Sequence, residues 1–145
     1  MTVLAKRVAT GYAVGLGQGV PHRGRDVKAS SQSTGGALTV IEITIDGGPP
    51  RHTHTHEDES LYIFTGSLDV GCGEDRFQAE PGGFVFLPRQ IPHEFRSVGG
   101  PATGLLIVTP GGLDEYFAQL HAALAGRADA AEIRAIQTAF GIVLS

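Results

Sequence analysis

Three histidines alternate with threonines at His52, His54 and His56, and the acidic cluster Glu57-Asp58-Glu59 follows at once. The pattern is enclosed by Gly47-Gly48-Pro49-Pro50 on one side and the apolar run Leu61-Tyr62-Ile63-Phe64 on the other. In an extended strand, residues two apart point the same way, so the three imidazoles share one face. Neighbours on that face lie about 6.6–7 Å apart, close enough for two to converge on one ion. The outer pair is about 13 Å apart, and all three can meet only if the chain bends. Imidazole and carboxylate clustered between apolar segments point to a metal ion.

A second stretch answers the first. Residues 82–97 read G-G-F-V-F-L-P-R-Q-I-P-H-E-F-R-S, with His93 alone after two prolines on a half-apolar strand. Beside the first cluster, His93 reads as a further ligand. Together the two stretches resemble the two motifs of the cupin superfamily. The first has the form H-x-H, three or four residues, E, six residues, G, and His52, His54, Glu59 and Gly66 fit it. The second has the form G, five residues, P-x-G, two residues, H, three residues, N, and Gly82, Pro88 and His93 fit it. Gln90 stands where the family prefers Gly, and Ser97 where it prefers Asn. The resemblance covers roughly residues 38–110. It implies one divalent transition-metal ion held by His52, His54, Glu59 and His93, with zinc favoured and iron, nickel, manganese or cobalt admissible.

His56 is left with three readings. It caps the strand end in solvent, lines the pocket as an acid/base, or replaces Glu59 as a ligand. Its unperturbed pKa, near 6.5, permits all three. Glu57 and Asp58 are expected in a solvated turn. Glu94 and Arg96 alternate away from His93 and should face outward.

At 145 residues the chain suits one domain with its own core. We expect a single unit over 1–145. Within it, residues 1–37 form an N-terminal strand and loop arm, 38–110 a barrel core with both motifs, and 111–145 a helical tail. Hydrophobic residues make up 41% and charged residues 18%, a globular balance with no run of about 20 apolar residues. The first residues have no apolar core fit for a signal peptide, so a cytoplasmic location is expected. The net charge of −4 without a basic patch argues against nucleic acid as partner. A lone Cys72 forbids an internal disulfide and reads as structural filler.

Short apolar runs punctuated by Gly and Pro predict strands over residues 3–9, 38–45, 59–65, 68–72, 77–79, 84–87, 93–98 and 105–109. Gly66-Ser67 and Gly99-Gly100-Pro101 are expected to be turns. With no helix between strands, the fold class is all-β: an antiparallel sandwich or barrel with two short C-terminal helices packed outside. The first helix carries Leu113, Phe117, Leu120 and Leu124 at helical spacing and stops at Gly126, with His121 on its surface. The second opens on Asp129-x-x-Glu132. The closing Ile-Val-Leu can pair as an edge strand. Residues 10–36 form a long Gly- and Ser-rich loop suited to a lid, an arm or a subunit contact, with His22 in it. Its G-L-G-Q-G has no strand-to-helix context and is not a nucleotide loop.

Leu61, Ile63, Phe84, Phe86 and Phe95 are the expected pocket wall, and such a lining favours a bulky apolar ligand. The chain is similar to small cupins that act as aromatic polyketide cyclases or flavonol dioxygenases. The resemblance implies an enzyme, with the cyclase ahead: the ion stabilises an enolate, and Glu59 or His56 moves the proton. A metal-stabilised binding module is the competing class, because a four-ligand site can be inert. The expected partners are an aromatic or polyketide-type substrate and a second copy of the chain, with no nucleic acid and no membrane.

Overall fold

The computed structural model describes residues 9–20 and 23–145. Apart from Ala9, the expected strand over residues 3–9 lies outside the described residues, and so does His22. The elements are β1 (Val27–Ala29), β2 (Thr39–Ile45), β3 (His52–His54), β4 (Asp58–Cys72), β5 (Asp75–Ala79), β6 (Phe84–Leu87), β7 (His93–Thr109), α1 (Leu113–Ala125), α2 (Ala130–Ala139) and β8 (Ile142–Leu144). Every strand pairing is antiparallel. No described helix is long and apolar enough to cross a membrane.

Two long strands make the frame. β4 and β7 pair from Asp58↔Thr109 to Cys72↔His93. The second half of β7 also carries β2 on its other edge, while its first residue meets β3. Both expected turns are therefore bends inside continuous strands. At Gly66 the backbone takes φ +81, and the register slips on either side of Thr65. Any Cβ there would sit 2.7 Å from Ala102 Cα. Opposite it, Gly99 and Gly100 take φ +74 and +135. Extra residues in a pair increase twist and bend the strand, so the sheet folds over on itself. The parity of the inward side chains records the slip. Glu59, Leu61 and Ile63 are buried at odd positions, Leu68 and Val70 at even ones.

The core lies between the curled halves. Leu61, Leu68, Leu87 and Val108 are completely buried and join Val85, Phe95, Leu106 and Ile142 in one cluster. β6 alternates cleanly: Val85 and Leu87 point in, whereas Phe84 and Phe86 are 63% and 52% exposed. Tyr62 pairs with Phe84 across β4–β6 on that same outer face.

The described parts of the segment over residues 10–36 are stitched to the edge of the sheet. β1 pairs with β2, Tyr12 donates to the Lys28 carbonyl at 2.7 Å, and Lys28 Nζ meets Glu42 at 2.7 Å. These parts therefore cover an edge that would otherwise offer unpaired backbone groups. Asp114, buried in the first turn of α1, accepts from Thr39 Oγ1 at 2.8 Å and Ser31 N at 3.1 Å, which pins the helix to β2. α2 is capped as its sequence predicts, with Asp129 accepting from Glu132 N at 2.9 Å. β8 then returns to pair with β3, matching Leu144 to His52 and Ile142 to His54.

Candidate metal centre

β3 is only three residues long, and it turns His52 and His54 inward with Thr53 between them. On one side β8 holds it, and on the other the register sets His52 directly opposite His93 of β7. β4 brings Glu59 to the same point. The four donor atoms all lie within 4.8 Å of one another, and all four residues are buried. His54 Nε2 is 2.9 Å from Glu59 Oε2 and 3.2 Å from His52 Nε2, and His93 Nε2 is 3.2 Å from the same Glu59 oxygen.

His56 is not among them. The chain leaves the strand at Thr55, and His56 is exposed, away from the cluster, against Gly141. The structure places it in solvent at the strand end. The reason is the bend that the 13 Å span required, taken after the second histidine rather than around the ion.

The cluster's chemistry suits a cation. His52 Nδ1 lies 2.8 Å from the Pro50 carbonyl and His93 Nδ1 3.2 Å from that of Ile91. A carbonyl only accepts, so each Nδ1 holds the proton and each Nε2 presents a lone pair in the neutral ring. Such lone pairs facing one another and a carboxylate repel unless a positive charge lies between them. Among the described residues, no Lys or Arg lines the cavity at this point. Burial pushes the His52 pKa down, against the opposing bond to Pro50, which favours the neutral ligating form. Burial alone would raise the Glu59 pKa, but in the metal-free chain N–H donors at Nε2 of His54 and His93 outweigh it and hold the group at about 2; a cation would take the place of those donors. Metal–nitrogen and metal–oxygen bonds run about 2.0–2.2 Å, so opposite ligands span up to ~4.4 Å, and the cluster needs only a small contraction. Three imidazoles and a carboxylate thus fit one divalent first-row ion.

Around the cluster opens a cavity of about 340 Å³. Phe95 lines it as expected. Leu61 and Ile63 do not, being sealed in the core beneath, and Phe84 and Phe86 face the opposite way, outside the sheet. Strand alternation fixes that result: Val85 and Leu87 occupy the inward positions. The wall instead comes from Ile43, Thr44, Leu106 and Ile142, and from the helices through Tyr116, Phe117, Leu120 and Gln137. The apolar stripe of α1 was visible in the sequence, but the surface it covers was not. Tyr116 is buried, and burial raises its hydroxyl pKa against the opposing effect of Gln137.

The turn expected to be solvated is divided. Asp58 lies within reach of the Arg89 guanidinium at 3.1 Å, but Glu57 is buried, and burial raises its pKa. Glu94 faces outward as expected, ion-paired with Arg51 and Arg76. Gln90 takes φ +69, a left-handed backbone suited to the glycine the family prefers. Its backbone N–H donates to the His54 carbonyl at 2.9 Å and its side chain to the Thr55 carbonyl at 2.8 Å, which ties the second motif to the first. Ser97 hydroxyl accepts from Gly47 N at 2.9 Å, doing at the Asn position the work of a backbone tie.

A curled antiparallel sheet with three histidines and one glutamate at its inner end defines the cupin class of β-barrel. The chain carries a cupin domain: residues 39–108 match the family model for the Cupin domain. Among solved structures, KdgF from Halomonas sp. is similar at 18% identity and a TM-score of 0.54, covering 61% of this chain and 79% of that one. An uncharacterized conserved protein with a double-stranded β-helix domain from Klebsiella pneumoniae is similar at 17% identity and a TM-score of 0.51, covering 59% and 75%. Both likenesses are of fold. No curated protein matches the chain.

Proposed function

We propose that this chain is a metal-dependent enzyme that closes a ring on a small, mainly apolar polyketide-type or aromatic substrate by aldol-type chemistry. The observation that carries the proposal is the apolar cavity that opens directly on the four-donor cluster. His52, His54, Glu59 and His93 would hold the ion, with zinc the favoured metal. When bound, it supplies Lewis acidity toward a carbonyl oxygen. Phe95, Leu106, Phe117 and Ile142 exclude water from the reacting carbons. Tyr116, kept neutral by burial, can donate a hydrogen bond to an oxygen of the substrate. A volume of about 340 Å³ lies at the small end of ligand sites, which run about 300–1,000 Å³, and favours one or two rings over a larger ligand. In this reading Glu59 would serve as a ligand, its low pKa favouring the carboxylate form. The same proposal places the enzyme in the cytoplasm as a homodimer.

One observation favours a second reading. With His56 outside, Tyr116 is the one titratable side chain on the described cavity wall that is not also in the donor cluster. That supports a metal-stabilised module that binds a small apolar molecule. The donor set also suits flavonol-type dioxygenation, which consumes oxygen. The experiment is turnover of a polyketone and of a flavonol, in air and under argon, by the metal-loaded chain and by His52→Ala and His93→Ala. Polyketone turnover under argon that both variants abolish supports the proposal. Turnover that stops without oxygen gives the dioxygenase, and binding without turnover gives the module.

A further inference from the structure

The three histidines are not held alike. His52 and His93 have their Nδ1 atoms fixed by the carbonyls two residues earlier. His54 has no such partner, and its Nδ1 is buried without a hydrogen bond. The nearest carboxylate atom it faces is Glu57 Oε2, 3.9 Å away, which is also buried without a partner. The side chains are 4% and 11% exposed, so water offers neither atom ready relief. A ring nitrogen and a carboxylate oxygen, each orphaned, confront each other on the side of the ring away from the cluster, and a cation held at Nε2 would leave the ring proton on Nδ1, aimed at that oxygen.

We propose that Glu57 is the positioning residue of the metal centre, accepting the Nδ1 proton of His54 so that Nε2 is presented to a divalent cation. The inference rests on the metal-centre reading and adds a role for a residue outside the donor set. Closing by about 1 Å brings the pair to an ordinary charge-assisted length. The chain makes that movement available, because Glu57 sits in the short connection between β3 and β4 and belongs to neither ladder. A carboxylate behind a ligating imidazole fixes the tautomer, orients the ring and raises the basicity of the ligand. The other two rings receive only a neutral carbonyl, so His54 becomes the strongest nitrogen donor of the three.

The test uses the full chain, with cobalt(II) as a spectroscopic probe and zinc(II) affinity measured by chelator competition. Glu57→Leu keeps the volume and removes the acceptor, while Glu57→Gln keeps an acceptor oxygen. Loss of a partner of this kind weakens metal binding by about 10–100-fold, which is expected for Glu57→Leu along with a changed cobalt absorption band. Glu57→Gln should recover most of the affinity and the parent band. Glu57→Ala serves as the acceptor-free variant if Glu57→Leu does not fold. Affinity within threefold of the parent in the acceptor-free variant overturns the proposal while leaving the metal centre standing, as does an equal loss in Glu57→Gln. A parent chain that binds cobalt no better than His52→Ala sinks the metal-centre reading and this proposal together.

Discussion

Glu59 should make the metal-free protein acid-labile by a calculable amount. Its carboxylate is buried among three imidazoles, and the hydrogen bonds from His54 and His93 hold its pKa at about 2 against the usual 4.5. The folded value is the lower one, so the unfolded chain takes up the proton first as pH falls. The contribution is complete above pH 4.5 and is lost between there and about pH 2. At 1.36 kcal/mol per pH unit, a gap of that size is worth roughly 3 kcal/mol. Glu42, Asp58 and Glu94 are also lowered, so acid weakens the fold for other reasons too. The comparison that isolates Glu59 is Glu59→Gln. Urea unfolding of both metal-free chains from pH 7 to pH 2.5 should show the parent losing about 2–3 kcal/mol more than the variant, nearly all of it below pH 4.5. Parallel curves would refute the reasoning, since they would mean that the carboxylate gains nothing from its imidazoles.

Two further outcomes test how the strands face. Leu61→Ala, which empties a fully buried site, should cost about 2–5 kcal/mol in chemical unfolding, whereas Phe84→Ser on the exposed face should stay within about 0.5 kcal/mol and leave ligand binding unchanged. A large stability loss from Phe84→Ser would return that ring to the interior. Gln90→Gly trades a left-handed penalty of roughly 1–2 kcal/mol against the hydrogen bond to the Thr55 carbonyl, so its thermal midpoint should match or slightly exceed the parent's. A clear drop would show that the tie between the two motifs outweighs the strain.

Much of the site was legible because strand geometry is local. The two-residue period places His52 and His54 together, and the run through Glu59, Leu61 and Ile63 places the carboxylate inward. The helices were legible from spacing and caps. The glycine-marked turns misled because a glycine at positive φ serves a hairpin and a bulge equally. What separates them is whether the apolar parity shifts beyond the glycine, as it does between Ile63 and Leu68. The pocket wall misled for a related reason: an all-apolar strand such as β6 does not declare which alternate set is inside.

The residues themselves determined the donor chemistry and the strand and helix segments, because periodicity, capping and ligand type act over a few positions. Only the tertiary structure decided that His93 stands opposite His52, that the chain bends before His56, that Glu57 is buried behind His54, and that two helices supply part of the cavity wall. Each depends on register and on packing between segments far apart in the chain or on a local bend enforced by that packing, and no local pattern carries those distances.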